Sequence, residues 1–151
     1  MRQLKVSDMM QREVVTVSPR MSVKEVAKLF TDKGISGAPV VDDEGRLVGI
    51  VTDRDLIMED VRVHFPTYIQ FLDGIFYLGG FRRFEEELRK AVGATVEDVM
   101  THHVVTADES ATVEDVATLL VERGFDRIPI VREGRLVGLV TKADIVRTLA
   151  R

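Results

Sequence analysis

Two short stretches place a threonine and an aspartate three residues apart, directly after an apolar run. The first holds Thr52 and Asp55 in "GIVTDRD", and the second holds Thr141 and Asp144 in "GLVTKAD". A threonine followed by an acid at this spacing is typical of a helix capping box, in which each side chain binds a backbone N–H of the other residue. At both places the pattern therefore predicts a strand that ends where a helix begins.

The same turns also have the chemistry to bind a phosphorylated nucleoside. A helix N-terminus presents unpaired N–H groups to an anion, and an aspartate carboxylate can accept hydrogen bonds from both hydroxyls of a ribose. Arg54 and Lys142 lie beside the turns and carry cations that suit phosphate, although either is equally consistent with a solvated surface charge. The residues alone leave both interpretations open, a cap only and a cap that also binds a ligand.

Both stretches belong to a larger internal repeat. Residues 6–58 align with residues 96–147 over a single one-residue gap, which falls in the turn "DDEG" against "REG", and about twenty aligned positions are identical. Each copy opens with a leading segment that ends in methionine, "VSDMM" or "VEDVM". A β-branched run typical of a strand follows, "EVVTV" or "HVVTA".

The rest of each copy predicts a helix, a hairpin and a second helix. Ser22 and Thr112 each have an acid three residues on and apolar residues at helical spacing beyond it. Gly34 and Gly124 stand where these helices would end, and two apolar runs joined by a turn with glycine follow. Each copy is thus a β-α-β-β-α unit. We expect an α/β (α+β) fold in which two such units share one core by pseudo-twofold symmetry.

The residues between the copies differ in kind. They hold most of the aromatic side chains, a break at Gly79 and Gly80, and the amphipathic stretch "FRRFEEELRKAV". We divide the chain into a first repeat (1–59), a helical, aromatic-rich insert (60–95) and a second repeat (96–151). The insert is either a helical hairpin with a small core of its own, or a partner surface or flap near a ligand.

Composition restricts the class of protein. The chain has no cysteine, which excludes thiolate metal sites and thiol nucleophiles. Its net charge of −4 provides no overall basic field for nucleic acid, and no run approaches the ~20 apolar residues of a transmembrane helix. We expect a cytoplasmic protein that binds neither membrane nor nucleic acid.

The doubled pattern, with "GAPVVDDEGRLVGIVTDRDL" in one copy and "DRIPIVREGRLVGLVTKADI" in the other, resembles the CBS domain, and the chain resembles a stand-alone pair of such domains, a Bateman module. The resemblance implies a non-catalytic regulatory module that binds an adenosyl ligand, namely AMP, ADP, ATP or S-adenosylmethionine, in the crevice between the copies. It also implies a homodimer that signals to a partner protein. The ligand would be regulatory, with or without Mg²⁺, and no cofactor or metal would be obligatory.

The resemblance further implies which residues contact the ligand. The aspartates of the T-x-x-D turns would hold the ribose hydroxyls, the threonines would contact ribose or phosphate, and the remaining residues would form the adenine slot or contact phosphate. The expected set in copy one is Thr16, Val17, Ile35, Ser36, Ala38, Pro39, Thr52, Arg54 and Asp55. The expected set in copy two is Thr106, Ala107, Phe125, Asp126, Arg127, Ile128, Pro129, Thr141, Lys142 and Asp144.

The two expected sites are unequal. Arg127 occupies a position where the family often places a basic phosphate contact, whereas copy one has Gly37 there. Asp126 would oppose a triphosphate unless its charge points away or a metal bridges the two. We therefore favour a mono- or diphosphate, or S-adenosylmethionine, over ATP without a metal.

No pattern supports catalysis. We expect His64, His102 and His103 to be surface or strand-end residues, because adjacent histidines point to opposite faces of a strand. The chain contains no G-x-S-x-G, P-loop or dinucleotide fingerprint. Two hypotheses from different classes remain: an adenosyl-ligand sensor, and an interaction protein whose T-x-x-D turns serve only as caps and whose aromatic insert binds a partner. Ligand identity, the number of occupied sites and the partner are not encoded in these patterns.

Overall fold

Residues 4–64 and 93–151 are described by the structure, a computed structural model. Copy one forms, after a 3₁₀ turn at Val6–Asp8, the elements α1 (Val23–Lys33), β1 (Gly37–Val41), β2 (Leu47–Thr52) and α2 (Asp53–His64). Copy two forms α3 (Val96–Val99), β3 (Ala107–Asp108), α4 (Val113–Glu122), β4 (Arg127–Arg132), β5 (Arg135–Thr141) and α5 (Lys142–Leu149). The predicted mixed α/β fold is confirmed.

Helices α1 and α4 begin where their local sequence predicts, and α1 also ends where its sequence predicts. In α1 the Ser22 hydroxyl accepts a hydrogen bond from the Glu25 N–H at 3.0 Å, and the Glu25 carboxylate accepts the Ser22 N–H at 3.3 Å. In α4 the Thr112 hydroxyl accepts the Asp115 N–H at 3.0 Å. Gly34 ends α1 in the left-handed region at φ 63°, which glycine adopts without a Cβ penalty. These five residues therefore fix the start of both helices and the end of α1 by local chemistry.

Strands β1 and β2 form a two-stranded sheet, and β3, β4 and β5 form a three-stranded sheet. β4 pairs antiparallel with β5, and β3 pairs parallel with β4. The first predicted strand of each copy is shorter than its β-branched run: in copy one only Val17 bridges Val40, and its N–H donates to the Pro39 carbonyl at 3.1 Å. In both copies a proline, Pro39 or Pro129, directly precedes the first paired residue, and it has no N–H to extend the ladder in that direction.

The described residues form two compact units, and each unit includes parts of both copies. The first unit comprises the described residues of Met1–Thr16, Val41–Gly49 and His102–Arg151, and the second those of Val17–Val40 and Ile50–Thr101. Within the first, the Gln11 backbone exchanges hydrogen bonds of 2.9 and 2.9 Å with Leu139 of β5. Within the second, Thr101 exchanges bonds of 2.9 and 3.0 Å with Ile50 of β2. The leading segment of each copy thus pairs with the last strand of the other copy.

Each unit has an apolar core. In the first unit the buried cluster consists of Val6, Met10, Val116, Leu120, Ile128, Ile130 and Val140. In the second the buried apolar residues are Val17, Val26, Phe30, Ala38, Val40, Val51, Ala94, Val96 and Met100. Met10 and Met100, which end the two leading segments, are therefore core residues.

The predicted helices and glycine break of the insert lie outside the described residues, except where α2 extends to His64. In the parts of the chain that the structure describes, no helix combines the length and apolarity needed to cross a bilayer.

Candidate functional site

The T-x-x-D turn of copy two forms a complete capping box at the start of α5. The Asp144 Oδ2 accepts hydrogen bonds from the Thr141 N–H at 2.8 Å and the Thr141 hydroxyl at 3.0 Å. In return the Asp144 N–H lies 3.3 Å from the Thr141 hydroxyl oxygen. The capping role predicted for this pair is therefore present.

Three further hydrogen bonds reach the Asp144 carboxylate from other residues. The Gln11 Nε2 lies 3.1 Å from Oδ1 and 2.9 Å from Oδ2. The Arg147 guanidinium, one turn further along α5, donates to Oδ1. Asp144 is buried, with only 4% of its side chain exposed, while the Arg147 side chain is 66% exposed. Both oxygens of this buried carboxylate are thus occupied by donors from the protein itself.

The corresponding turn of copy one is more open. The Asp55 Oδ2 accepts the Thr52 N–H at 2.9 Å and the Thr52 hydroxyl at 3.2 Å. Within residues 4–64 and 93–151, no donor lies within hydrogen-bonding distance of the other oxygen, Oδ1, and the residue is half-buried. The adjacent Arg54 is exposed. Asp55 therefore keeps acceptor capacity that Asp144 lacks.

Two sequence differences between the copies explain this contrast. Gln11 aligns with Thr101, whose side chain is shorter. Arg147 aligns with Met58, whose side chain has no N–H or O–H to donate. Gln11 pairs through its backbone with Leu139 of β5, and Thr101 pairs in the same way with Ile50 of β2. The two positions therefore share this backbone pairing and differ in their side chains. Sequence analysis missed Gln11 and Arg147 as functional candidates, although their mismatch in the repeat alignment was visible.

The basic groups beside the two turns are also unequal. Lys142 forms an ion pair with Asp126, with 3.6 Å between Nζ and Oδ1. Asp126 thus points its charge at a cation of its own copy. No carboxylate of the described residues lies within ion-pair distance of Arg54. The cation beside Asp55 is consequently available to an anionic group, whereas the one beside Asp144 is partly neutralised.

In each copy, one residue of the predicted adenine slot is hydrogen-bonded to the first residue of the helix at the T-x-x-D turn. The Ser36 carbonyl accepts the Asp53 N–H at 2.8 Å, and the Asp126 carbonyl accepts the Lys142 N–H at 3.4 Å. These bonds hold the segment before β1 or β4 against the start of α2 or α5. Ile35, Thr16, Thr106, Ala107, Phe125 and Arg127 are half-buried, while Val17, Ala38, Pro39, Ile128 and Pro129 are buried.

Gly138, in the strand before the copy-two turn, is closely approached by protein. A Cβ placed there would lie 2.8 Å from the Met10 Cγ and 3.0 Å from the Gln11 carbonyl oxygen, and closer still to the Met10 Sδ. The close approach that a glycine within a strand indicates therefore comes from the leading segment of copy one.

His102 and His103 are exposed. Among the residues that the structure describes, no three His, Asp or Glu side chains are grouped so that they could hold a metal ion.

Comparison with known proteins relates this geometry to a family. A family model described as "CBS domain" matches residues 6–62 and 96–151. An uncharacterized protein of Methanocaldococcus jannaschii, MJ1426, is 32% identical over 152 residues, which cover 95% of this chain and 90% of that protein. The chain spans between 42% and 59% of the length of three other curated relatives.

Two similar solved structures contain adenosyl ligands. CBSX2 from Arabidopsis thaliana in complex with AMP has a TM-score of 0.77 at 31% identity, covering 97% of this chain and 96% of that one. The CBS domain pair of protein MJ0100 in complex with 5′-methylthioadenosine and S-adenosyl-L-methionine has a TM-score of 0.70 at 27% identity, covering 99% and 98%.

Proposed function

Because the chain belongs to the CBS domain family, we propose that it is a non-catalytic regulatory module that binds an adenosyl ligand and transmits this binding to a partner protein. The ligand is AMP, ADP, ATP or S-adenosylmethionine. The ligands of the CBSX2 and MJ0100 structures support this class. One observation in this chain carries the proposal: the Asp55 carboxylate keeps an oxygen that accepts no hydrogen bond from the described residues, and this oxygen belongs to a residue next to the exposed Arg54.

The chemistry of the site follows from these side chains. A ribose hydroxyl donates to the free oxygen of an aspartate, and such charge-assisted bonds are roughly twice as strong as neutral ones. The Thr52 hydroxyl lies at the N-terminus of α2, where the helix dipole favours a phosphate. The first two N–H groups of that helix already donate to the Ser36 carbonyl and the Asp53 carboxylate, so the dipole and not these N–H groups would attract the phosphate. Arg54 would add a charge partner for that phosphate, and Mg²⁺ would accompany only a di- or triphosphate.

Transmission requires that the ligand bind one conformation better than another. As a further part of the proposal, a partner protein reads this response. The lack of cysteine is consistent with a reducing compartment, and we include a cytoplasmic location in the proposal.

We also propose that the module is a homodimer. Large apolar side chains are exposed on α2 at Ile57 and Met58, and on α5 at Val146 and Leu149. Contiguous apolar patches on a surface mark protein contacts, and each of these two helices contributes two such side chains. Sedimentation equilibrium tests this: a dimeric mass that becomes monomeric in a Leu149→Glu variant supports it, and a monomeric wild type at micromolar concentration contradicts it.

The experiment that tests ligand binding is a thermal-shift panel on protein freed of co-purified nucleotide. AMP, ADP, ATP, S-adenosylmethionine and GMP are each added with and without Mg²⁺. A ligand at 100 times its Kd stabilises the folded state by about 2.7 kcal/mol, which corresponds to roughly 5–11 °C for a chain of this size. We expect such a shift for at least one adenosyl ligand and none for GMP.

The chain provides a matched control for the site. Asp98 accepts the Thr95 N–H at 2.9 Å and the Thr95 hydroxyl at 3.1 Å, which repeats the Thr52 and Asp55 geometry in a leading segment. Asp55→Asn should reduce the ligand shift by about half or more, whereas Asp98→Asn, which loses an equivalent cap, should retain it. A panel without any adenosyl shift contradicts the sensor function and favours an interaction protein that works through residues 60–95.

A further inference from the structure

The two T-x-x-D aspartates of this chain are not equivalent acceptors, and this difference predicts the stoichiometry of binding. We infer that each chain binds one adenosyl ligand, at the half-site of Asp55, and that Gln11 and Arg147 keep Asp144 closed to a ribose. The inference rests on the proposed function and adds which copy is used and which residues decide it.

The first step is the acceptor capacity of Asp144. A carboxylate offers about four lone-pair positions. The Oδ1 of Asp144 receives Gln11 and Arg147, and its Oδ2 receives Gln11 and two donors of Thr141. A ribose hydroxyl could reach this buried carboxylate only by displacing Gln11 or Arg147. Displacement of Gln11 would leave its amide to find another partner.

The second step is the rigidity of the Gln11 donor. The Gln11 backbone is fixed by two hydrogen bonds to Leu139, and the preceding Met10 is buried in the core of the same unit. Because the backbone and its neighbour are held in place, only the side-chain torsions of Gln11 remain to be ordered by its contact with Asp144. The contact therefore costs the rotamer entropy of the glutamine side chain but no backbone entropy.

The third step is the absence of these donors in copy one. Thr101 occupies the position of Gln11 and makes the same two backbone hydrogen bonds, here with Ile50. Met58 occupies the position of Arg147. Neither residue donates to Asp55, whose Oδ1 has no donor among the described residues. The half-site of copy one thus differs from a closed one by two side chains.

Isothermal titration with AMP, and in parallel with S-adenosylmethionine, tests the inference. The wild type should bind one equivalent per chain. Asp55→Asn should weaken that binding by about tenfold to a hundredfold, as expected for the loss of hydrogen bonds to a charged acceptor. Asp144→Asn should change the affinity by no more than about twofold relative to the wild type, because the carboxylate of Asp144 is already hydrogen-bonded to protein donors.

A gain-of-binding variant addresses the closing residues directly. The double variant Gln11→Thr with Arg147→Met copies both side chains from copy one and should bind a second equivalent. Its melting curve verifies that it is folded. The reverse variant, Thr101→Gln with Met58→Arg, should weaken the first site. Asp98→Asn serves as the control that loses a cap and keeps one equivalent.

The outcomes separate this inference from the proposed function. Two equivalents in the wild type, or one equivalent lost in Asp144→Asn and kept in Asp55→Asn, would overturn the inference and leave the sensor function standing. A folded Gln11→Thr, Arg147→Met variant that still binds one equivalent would overturn the role of those two residues. A wild type that binds neither probe would overturn both proposals.

Discussion

Replacement of each T-x-x-D aspartate by alanine should destabilise the protein by different amounts, even without ligand. Asp55→Ala removes two hydrogen bonds that both involve Thr52. Asp144→Ala removes the corresponding bonds to Thr141 and, in addition, those from Gln11 and Arg147. The difference between the variants therefore measures what the extra donors contribute.

The magnitude can be worked out from these contacts. A helix cap contributes about 1 kcal/mol, which is the expected cost of Asp55→Ala. Hydrogen bonds to a charged group contribute about 1.5–3 kcal/mol, and since Gln11 is exposed we take the lower end. The Arg147 side chain is 66% exposed, so its ion pair adds at most about 0.5 kcal/mol. The sum for Asp144→Ala is about 3 kcal/mol.

Urea unfolding followed by circular dichroism provides the assay, together with the variant Gln11→Ala. The free energy of unfolding should fall by about 1 kcal/mol in Asp55→Ala and about 3 kcal/mol in Asp144→Ala, which at 2–4 °C per kcal/mol corresponds to Tm losses of roughly 2–4 and 6–12 °C. A double-mutant cycle of Gln11→Ala with Asp144→Ala should yield a coupling energy of about 1.5 kcal/mol. Equal losses for the two aspartates, or a coupling near zero, would refute the reasoning.

Three other variants test the packing and the surface charges. Gly138→Val should lower the free energy of unfolding by about 1–3 kcal/mol in urea titrations, because the new Cβ would overlap Met10. Met10→Ala should restore part of this loss. An unchanged midpoint of the urea titration would contradict the contact. Leu120→Ala, in the core of the first unit, should cost about 3 kcal/mol by calorimetry, and a cost below 1 kcal/mol would show that the cluster is not packed as described. The hydrogen bond from Arg132 lowers the pKa of Glu109. The stabilisation that this ion pair contributes is therefore present at neutral pH and is lost as the pH falls through the folded-state pKa of Glu109. Glu109→Gln should flatten the acid limb of a plot of Tm against pH, and an unchanged slope would contradict this.

The features that could be predicted from the sequence are local ones. The Ser22 and Glu25 cap joins residues three positions apart, and the Gly34 stop follows directly after the last residue of α1. The T-x-x-D turns belong to the same class. Hairpins, caps and helix stops depend on neighbours in the chain, and the periodicity of the sequence reports such neighbours well.

The features that could not be predicted depend on distant pairs. Gln11 and Asp144 are 133 positions apart, and no periodicity relates them. The glycine at position 138 predicts that another group approaches this strand closely, but it does not predict that this group is Met10. Which of the two aspartates is open depends on which leading segment each strand receives, and this is a tertiary property. The sequence therefore predicted two similar turns, whereas the structure distinguishes them.

The pairing of each leading segment with the strand of the other copy also has a consequence for biosynthesis. Residues 6–11 emerge from the ribosome long before Leu139, to which Gln11 pairs. Contacts of such long sequence separation form late, because the intervening chain must first be ordered. During translation, Val6 and Met10 would be exposed apolar residues without their core. A truncated chain that ends before β5 would keep them exposed, so premature termination of synthesis should produce an aggregation-prone fragment and not a folded half-protein.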